Sequence, residues 1–180
     1  MIMQEQVLEF WFQVLSPEQW WAKDPELDAL IEYKFAHLHL QAEQGELYTW
    51  RAEPKGALAE IIILDQFSRN IYRDTPKAFA SDAQALTLSQ VAISQGLDQY
   101  LSQDERLFLY LPYMHSESAM IHEIAIGLFT ELGLPSNLDF EYKHKAIIER
   151  FGRYPHRNDI LGRASTDAEV EFLKQPDAGF

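Results

Sequence analysis

The sequence predicts an all-α protein, a set of antiparallel helical hairpins in a single domain over residues 1–180. Three observations lead there. Residues that start and stop helices recur along the whole chain of 180 residues. Apolar positions return at intervals of three and four rather than alternating. The connections between these segments are short, so consecutive helices should fold back on one another. No stretch reads as a strand, and there is no linker, low-complexity segment or strict repeat.

The elements follow in order. Asp24 and Pro25 open one helix as N-cap and first-turn residue, and Gly45 closes it. Pro54 opens the next. Ser81 caps a helix that runs through Leu86, Val91 and Ile93 to Gly96. Ser102 with Glu105, and Thr166 with Glu169, have capping-box spacing. Ile121, Ile124, Ala125, Leu128 and Leu132 form a helical stripe that stops at Gly133. From Leu138, a further stripe carries Phe140, Ile147 and Phe151 and ends at Gly152. The last few residues are expected to fray.

Composition narrows the class. With 47% hydrophobic and 24% charged residues the chain reads as a soluble globular protein. It has no cysteine, which excludes disulfides, thiol nucleophiles and zinc–thiolate sites. The opening MIMQEQVLEFWF lacks a basic segment and its apolar run is broken by glutamates, so no signal peptide is expected. No apolar run approaches membrane-spanning length. A cytoplasmic location follows as the default. The net charge of -13 opposes phosphate-rich surfaces, so neither nucleic acid nor an anionic membrane is expected as a partner.

One helix differs from the rest. In ALAEIIILDQF (57–67) apolar residues lie all round the helical wheel, the pattern of an element buried on most sides. At 100° per residue, Leu58, Ile61, Ile62, Asp65 and Arg69 share one arc. An acid and a base thus sit four residues apart on a face that should be core, where an unpaired charge is costly. Asp65 and Arg69 partly satisfy one another. Arg69 has five donors, however, and Asn70 and Arg73 follow, so further acceptors belong there.

Three stretches carry a resemblance: LDQFSRNIYRDTPKAF (64–79), LFLYLPYMHSE (107–117) and RFGRYPHRNDILGR (150–163). With the opening VLEFWF and the later WWAKDPELD, they closely resemble the domain-of-unknown-function 924 family, in order and over nearly the whole chain. The resemblance implies an all-α fold similar to tetratricopeptide-repeat proteins and a motif set without an assigned reaction. Three features depart from the family pattern. Ser68 stands in place of proline, Tyr154 in place of phenylalanine, and the SAMIH stretch ending at His122 is atypical.

The third stretch is where the scarce cations gather. Between Lys143 and Arg163, six lysines and arginines face only Glu149 and Asp159, a local balance of +4 in a chain of -13. Six of the eight arginines lie in the first and third stretches, and arginine suits bidentate recognition of carboxylate or phosphate. Gly152 and Pro155 make 153–156 a shaped turn after a helix end. His115, Ser116 and Glu117 follow Pro112 at another break.

These patterns assign a ligand set of Arg69, Asn70, Arg73, Glu117, Arg153, Arg157 and Asn158. Asp65, His115 and His156 are the candidates for proton transfer. The bland reading makes the same residues capping groups and ion pairs. His144 reads as a core histidine, His37 and His39 as surface residues, and Trp11, Trp20, Trp21 and Trp50 as core or hairpin packing. His115, Glu117, His122 and Glu123 are ligand types but lack the HExxH spacing, so no metal is assigned, and no cofactor. There is no Gly-rich phosphate loop and no GxSxG elbow. Two functional classes remain. One is a pocket for a small anion, phosphate or carboxylate; the other is a helical scaffold that binds a peptide or protein partner in a groove.

Overall fold

A computed structural model describes residues 3–176, 178 and 179, and all regular structure among them is helical. The ten α-helices in chain order are α1 (Met3–Glu9), α2 (Pro25–Glu43), α3 (Pro54–Ile62), α4 (Ser68–Ile71), α5 (Asp82–Ser94), α6 (Gln103–Met114), α7 (Ala119–Leu132), α8 (Pro135–Phe151), α9 (Asn158–Leu161) and α10 (Asp167–Leu173). Among the described residues none is long and apolar enough to cross a membrane. Two compact units emerge. One runs up to Arg73 and takes in Lys77–Pro112; the other takes in Asp74–Pro76 and the described residues from Tyr113 onward.

Most helix boundaries follow the expected chemistry; Ser81 precedes α5 as expected but makes no side-chain capping hydrogen bond. Asp24 accepts from the backbone N–H groups of Glu26 and Leu27 at 2.9 and 3.3 Å, with Pro25 in the first turn. The Ser102–Glu105 and Thr166–Glu169 capping boxes both form. Gly133 and Gly152 end α7 and α8 at φ of 76° and 70°, a left-handed conformation that favours glycine. α8 begins at Pro135, before the expected Leu138.

In the first unit, α3 is buried from Gly56 to Ile62, as its all-round apolar pattern requires. Its continuation, Ile63–Phe67, is a π-helical turn, which the sequence pattern did not indicate. Phe67 stacks on Phe35 of α2 at 4.9 Å and meets Trp11 edge-on at 5.6 Å. α5 buries Ala85, Ser89 and Ala92, while Leu86 and Ile93 are half-buried and Val91 is exposed. Small residues let α5 approach its neighbours closely, and the Ser89 hydroxyl donates to the Leu109 carbonyl. Trp21 is 56% exposed, contrary to a core role, with one face stacked on Phe108.

In the second unit α7 and α8 form an antiparallel hairpin that sets His122 beside Glu141 and Glu123 beside Lys145. Ala125, Phe129 and Leu132 are the buried stripe of α7; Ile124 and Phe140, expected on apolar stripes, are 48% and 46% exposed. Ile147, Ile148, Tyr154, Phe172 and Ala178 make a small core against which Phe151 packs. Ala178 is therefore held, although the expected fraying of the last residues also concerns Asp177 and Phe180, which lie outside the described residues.

A methyl group on Gly56 would fall onto the Trp50 carbonyl, at the short 3-10 turn Tyr48–Ala52 that packs on α3. Gly56→Ala should therefore lower stability by roughly 1–3 kcal/mol through overpacking, outweighing the helix propensity gained. Urea unfolding measures it, and an unchanged midpoint would mean that the Trp50 turn yields freely.

Candidate functional site

In the first unit the donors of the first stretch find acceptors in the chain itself. Arg69 donates through Nη1 and Nη2 to the two oxygens of Asp82, at 2.8 and 3.0 Å. It also reaches the backbone carbonyl of Asp65 at 2.7 Å and its carboxylate at 3.3 Å. The π-helical turn buries Asp65 and Gln66, and Gln66 donates to Asp65 Oδ2 at 2.6 Å. Asn70 and Arg73 both donate to Asp28 of α2, at 2.8 and 2.7 Å. Burial pushes the Asp28 carboxyl up, but the Arg73 and Asn70 donors hold it net below the usual range. Asp28 and Asp82 are the acceptors the sequence required and did not identify.

His39 is fully buried rather than on the surface. It lies four residues after Phe35 on the core stripe of α2, a spacing that foretells the burial. Its Nε2 is 2.7 Å from Ser68 Oγ, and Nδ1 is 3.5 Å from Glu43. The order is that of a serine–histidine–acid triad. Ser68 and His39 are both 0% exposed, however, and Ser68 also donates to the Leu64 carbonyl at 2.5 Å. No substrate carbonyl can approach Ser68 Oγ, so the contact ties α2 to α4. Burial pushes the His39 imidazole down, which fits a neutral ring in this place.

In the second unit the second and third stretches meet around Tyr154. α8 ends at Gly152, and Pro155–Arg157 form one 3-10 turn before α9. Glu117 accepts both arms of the Arg163 guanidinium, at 2.8 and 2.9 Å, and the backbone N–H of Tyr154 at 2.7 Å. Burial pushes the Glu117 carboxyl up, yet the Arg163 and Tyr154 donors and the charge of Arg157 bring it net below its ordinary value. Arg163 also donates to the Tyr154 carbonyl and to Asn158 Oδ1, while Asn158 donates to Ser165 Oγ. Arg157 donates to the His115 carbonyl at 3.1 Å and lies over the Tyr154 ring at 4.7 Å. His115 and His156 are partly exposed beside this network, and His156 packs on Tyr154 at 5.6 Å. Arg153 makes a two-armed pair with Glu169, at 2.7 and 2.8 Å, and this pair draws the Glu169 carboxyl down to about 2.

Sequence reasoning left two residues of this network, Arg163 and Tyr154, and one outside it, Arg150, out of the ligand set. Arg163 binds Glu117; Tyr154 donates its hydroxyl to the Met114 carbonyl at 2.5 Å and lies 3.2 Å from His122 Nε2; and Arg150 stands apart. Arg150 is exposed, lies over Phe151 at 4.6 Å and near Phe172 at 5.8 Å, and meets no carboxylate among the described residues. Arg150, Phe151, Arg153, Thr166, Ala168 and Glu169 line an open cleft of about 470 Å³. Arg153 leaves its Nη1 amino group without an acceptor among the described residues, so two guanidinium groups offer donors there. The signal for Arg150 was its place in the basic run beside Phe151.

Among the described residues no group of three or more histidines and acids is placed to hold a metal ion. Of the four ligand types at 115–123, Glu117 faces Arg163, His122 faces Glu141 and Glu123 faces Lys145.

A family model described as "Bacterial protein of unknown function (DUF924)" matches residues 7–177. A solved structure, that of the protein of unknown function ATU0120 from Agrobacterium tumefaciens, is 36% identical with a TM-score of 0.91, over 95% of this chain and 96% of that one. No curated protein matches.

Burial pushes His144 down to about 3, with His115, His122 and His156 adding to the effect and the Phe140 carbonyl opposing it. Below about pH 6.5 the unfolded chain takes up a proton that the native site refuses until about pH 3. Stability is therefore full above that window and is lost as pH falls through it, by on the order of a few kcal/mol. His144→Gln should flatten this acid limb in urea unfolding across pH; an unchanged slope would assign the acid loss elsewhere.

Proposed function

This chain belongs to the DUF924 family of bacterial proteins of unknown function, and we propose that it binds a small anion, phosphate or carboxylate, in the cleft of its second unit. One observation carries the reading. Arg150 is a cation of the polar stretches with no carboxylate partner among the described residues, and it lines a cleft of ligand size beside the spare Nη1 group of Arg153. The three charged lining residues sum to +1 in a chain of -13, and the ring of Phe151 holds Arg150 from one side. An anion with two or more acceptor oxygens suits two guanidinium groups, while Phe151 and Ala168 accommodate an apolar remainder.

In this reading the other members of the expected set hold the cleft in place. Glu117, Asn158 and Arg157 brace the turn that carries Arg153, and Arg69, Asn70 and Arg73 brace the first unit. Binding is the activity proposed, in the cytoplasm, with no role for nucleic acid or membrane. A second reading, the helical scaffold for a peptide partner, draws on the exposed aromatic residues Trp21, Tyr33, Tyr48 and Tyr100 of the first unit.

Thermal denaturation with inorganic phosphate, citrate and benzoate separates the readings. A ligand at 100 times its Kd should add about 2.7 kcal/mol, or roughly 5–10 °C in Tm. Arg150→Ala should abolish that rise while changing apo stability by no more than about 0.5 kcal/mol, as an exposed substitution. Arg157→Ala should instead lower the apo Tm, because Arg157 is buried. Anion stabilisation that survives Arg150→Ala would move the site elsewhere. None with any anion would leave the scaffold reading.

A further inference from the structure

The hairpin of α7 and α8 buries an acid against a base. His122 and Glu141 are both 0% exposed, with Nδ1 and Oε1 2.6 Å apart. The other ring nitrogen, Nε2, lies 2.8 Å from the Ser116 carbonyl and 3.2 Å from the Tyr154 hydroxyl oxygen. A carbonyl can only accept. The Tyr154 hydroxyl gives its own hydrogen to the Met114 carbonyl, so it too faces Nε2 as an acceptor. Nε2 therefore carries a hydrogen, and a single proton remains for the short contact between Nδ1 and Oε1.

That proton has two places to sit. On Nδ1 it makes an imidazolium facing a carboxylate; on Oε1 it makes a neutral carboxylic acid donating to a neutral ring. The second oxygen of Glu141 decides between them. Oε2 is buried and no donor reaches it among the described residues. A carboxylate would place half its charge on that oxygen, out of contact with solvent and without a donor among the described residues, at a cost several times that of one unmet neutral acceptor.

We propose that Glu141 keeps its proton in the folded protein at neutral pH and donates it to His122 Nδ1. The result is a neutral acid–imidazole latch that joins the 115–118 loop to the 153–157 turn. His122 Nε2–H holds the Ser116 carbonyl on one side and Tyr154 on the other, so the state of Glu141 is communicated to both.

The surroundings point the same way. Burial raises Glu141 above the usual carboxylate range, against the pull of His122 and Lys145. Lys145, on the same helix, is engaged with Glu123 of α7 and with Glu149. From α8, His144 is held neutral by burial. The loop brings His115 and Glu117, the latter neutralised by Arg163, and the turn brings Tyr154, His156 and Arg157. A carboxyl raised by folding keeps a proton that the unfolded chain releases above about pH 4.5. The contribution of the Glu141 carboxyl is therefore fully present below about pH 4.5 and is lost as pH rises through the folded-state value, a slope opposite in sign to that of His144.

Glu141→Gln is the discriminating variant, because a side-chain amide can donate to Nδ1 as the acid does. Its Tm should lie near the parent's at about pH 5 and rise relative to the parent's as pH goes from about 5 to 8, because the amide lacks the Glu141 proton linkage while the His144 slope is common to both proteins. An ion pair predicts the reverse, a Tm lowered across the whole range. Two readouts on the wild-type protein at neutral pH do not depend on the variant's folding. Infrared spectra of the protein carrying carbon-13 glutamate should contain the carbonyl stretch of a neutral carboxylic acid. Nitrogen-15 spectra should show His122 with one protonated and one bare ring nitrogen. Two protonated nitrogens, or no neutral-acid band, overturn the proposal.

Discussion

A carboxylate or guanidinium taken out of water must find its counter-charge and its hydrogen bonds in the same place, and most of this chain's polar architecture follows from that requirement. Arg69 meets Asp82, Arg73 meets Asp28, Arg153 meets Glu169 and Arg163 meets Glu117, each through two guanidinium nitrogens. Such forks are rigid, so each fixes the direction of the backbone that carries it. Glu117 does so most completely, since the same carboxylate also receives the Tyr154 N–H. Removing one partner of a pair like this leaves a half-buried charge without its hydrogen bonds, at a cost that solvent only partly screens.

Two buried hydroxyls are local solutions to the same requirement. Those of Ser68 and Tyr154 are each buried against a histidine, His39 and His122 respectively. Tyr154 and His122, 32 residues apart in the chain, approach to 3.2 Å. A hydroxyl that donates to a backbone carbonyl while facing an imidazole satisfies two buried groups at once.

The second unit combines a largely paired interior with an open rim. Near Tyr154 the Glu117, Arg163 and Asn158 groups are matched, Glu141 Oε2 is buried without a donor among the described residues, and His144 is held neutral by burial. At the cleft, Arg150 rests on aromatic rings, which support a guanidinium without quenching its donors. Buried charge that is matched serves the fold; exposed charge left unmatched beside a cavity is where an outside acceptor gains most.

The sequence by itself determined the all-α class, the helix ends at Asp24, Gly133, Gly152 and Thr166, the all-round burial of 57–67 and the concentration of arginine in two stretches. Each of these depends on neighbours a few residues away, through caps, backbone angles and helical period. It also called for acceptors near Arg69, Asn70 and Arg73 without saying which they were. Only the tertiary structure decided that Asp28, 42 and 45 residues away along the chain, meets Asn70 and Arg73, and that Glu117 meets Arg163 from 46 residues away. It also decided that His39 and His122 are interior and that Arg150, rather than Arg157, lines the cleft. Side-chain periodicity carries no information about which distant charge will be opposite, and it is that opposition which separates an arginine paired within the chain from one left exposed at the cleft.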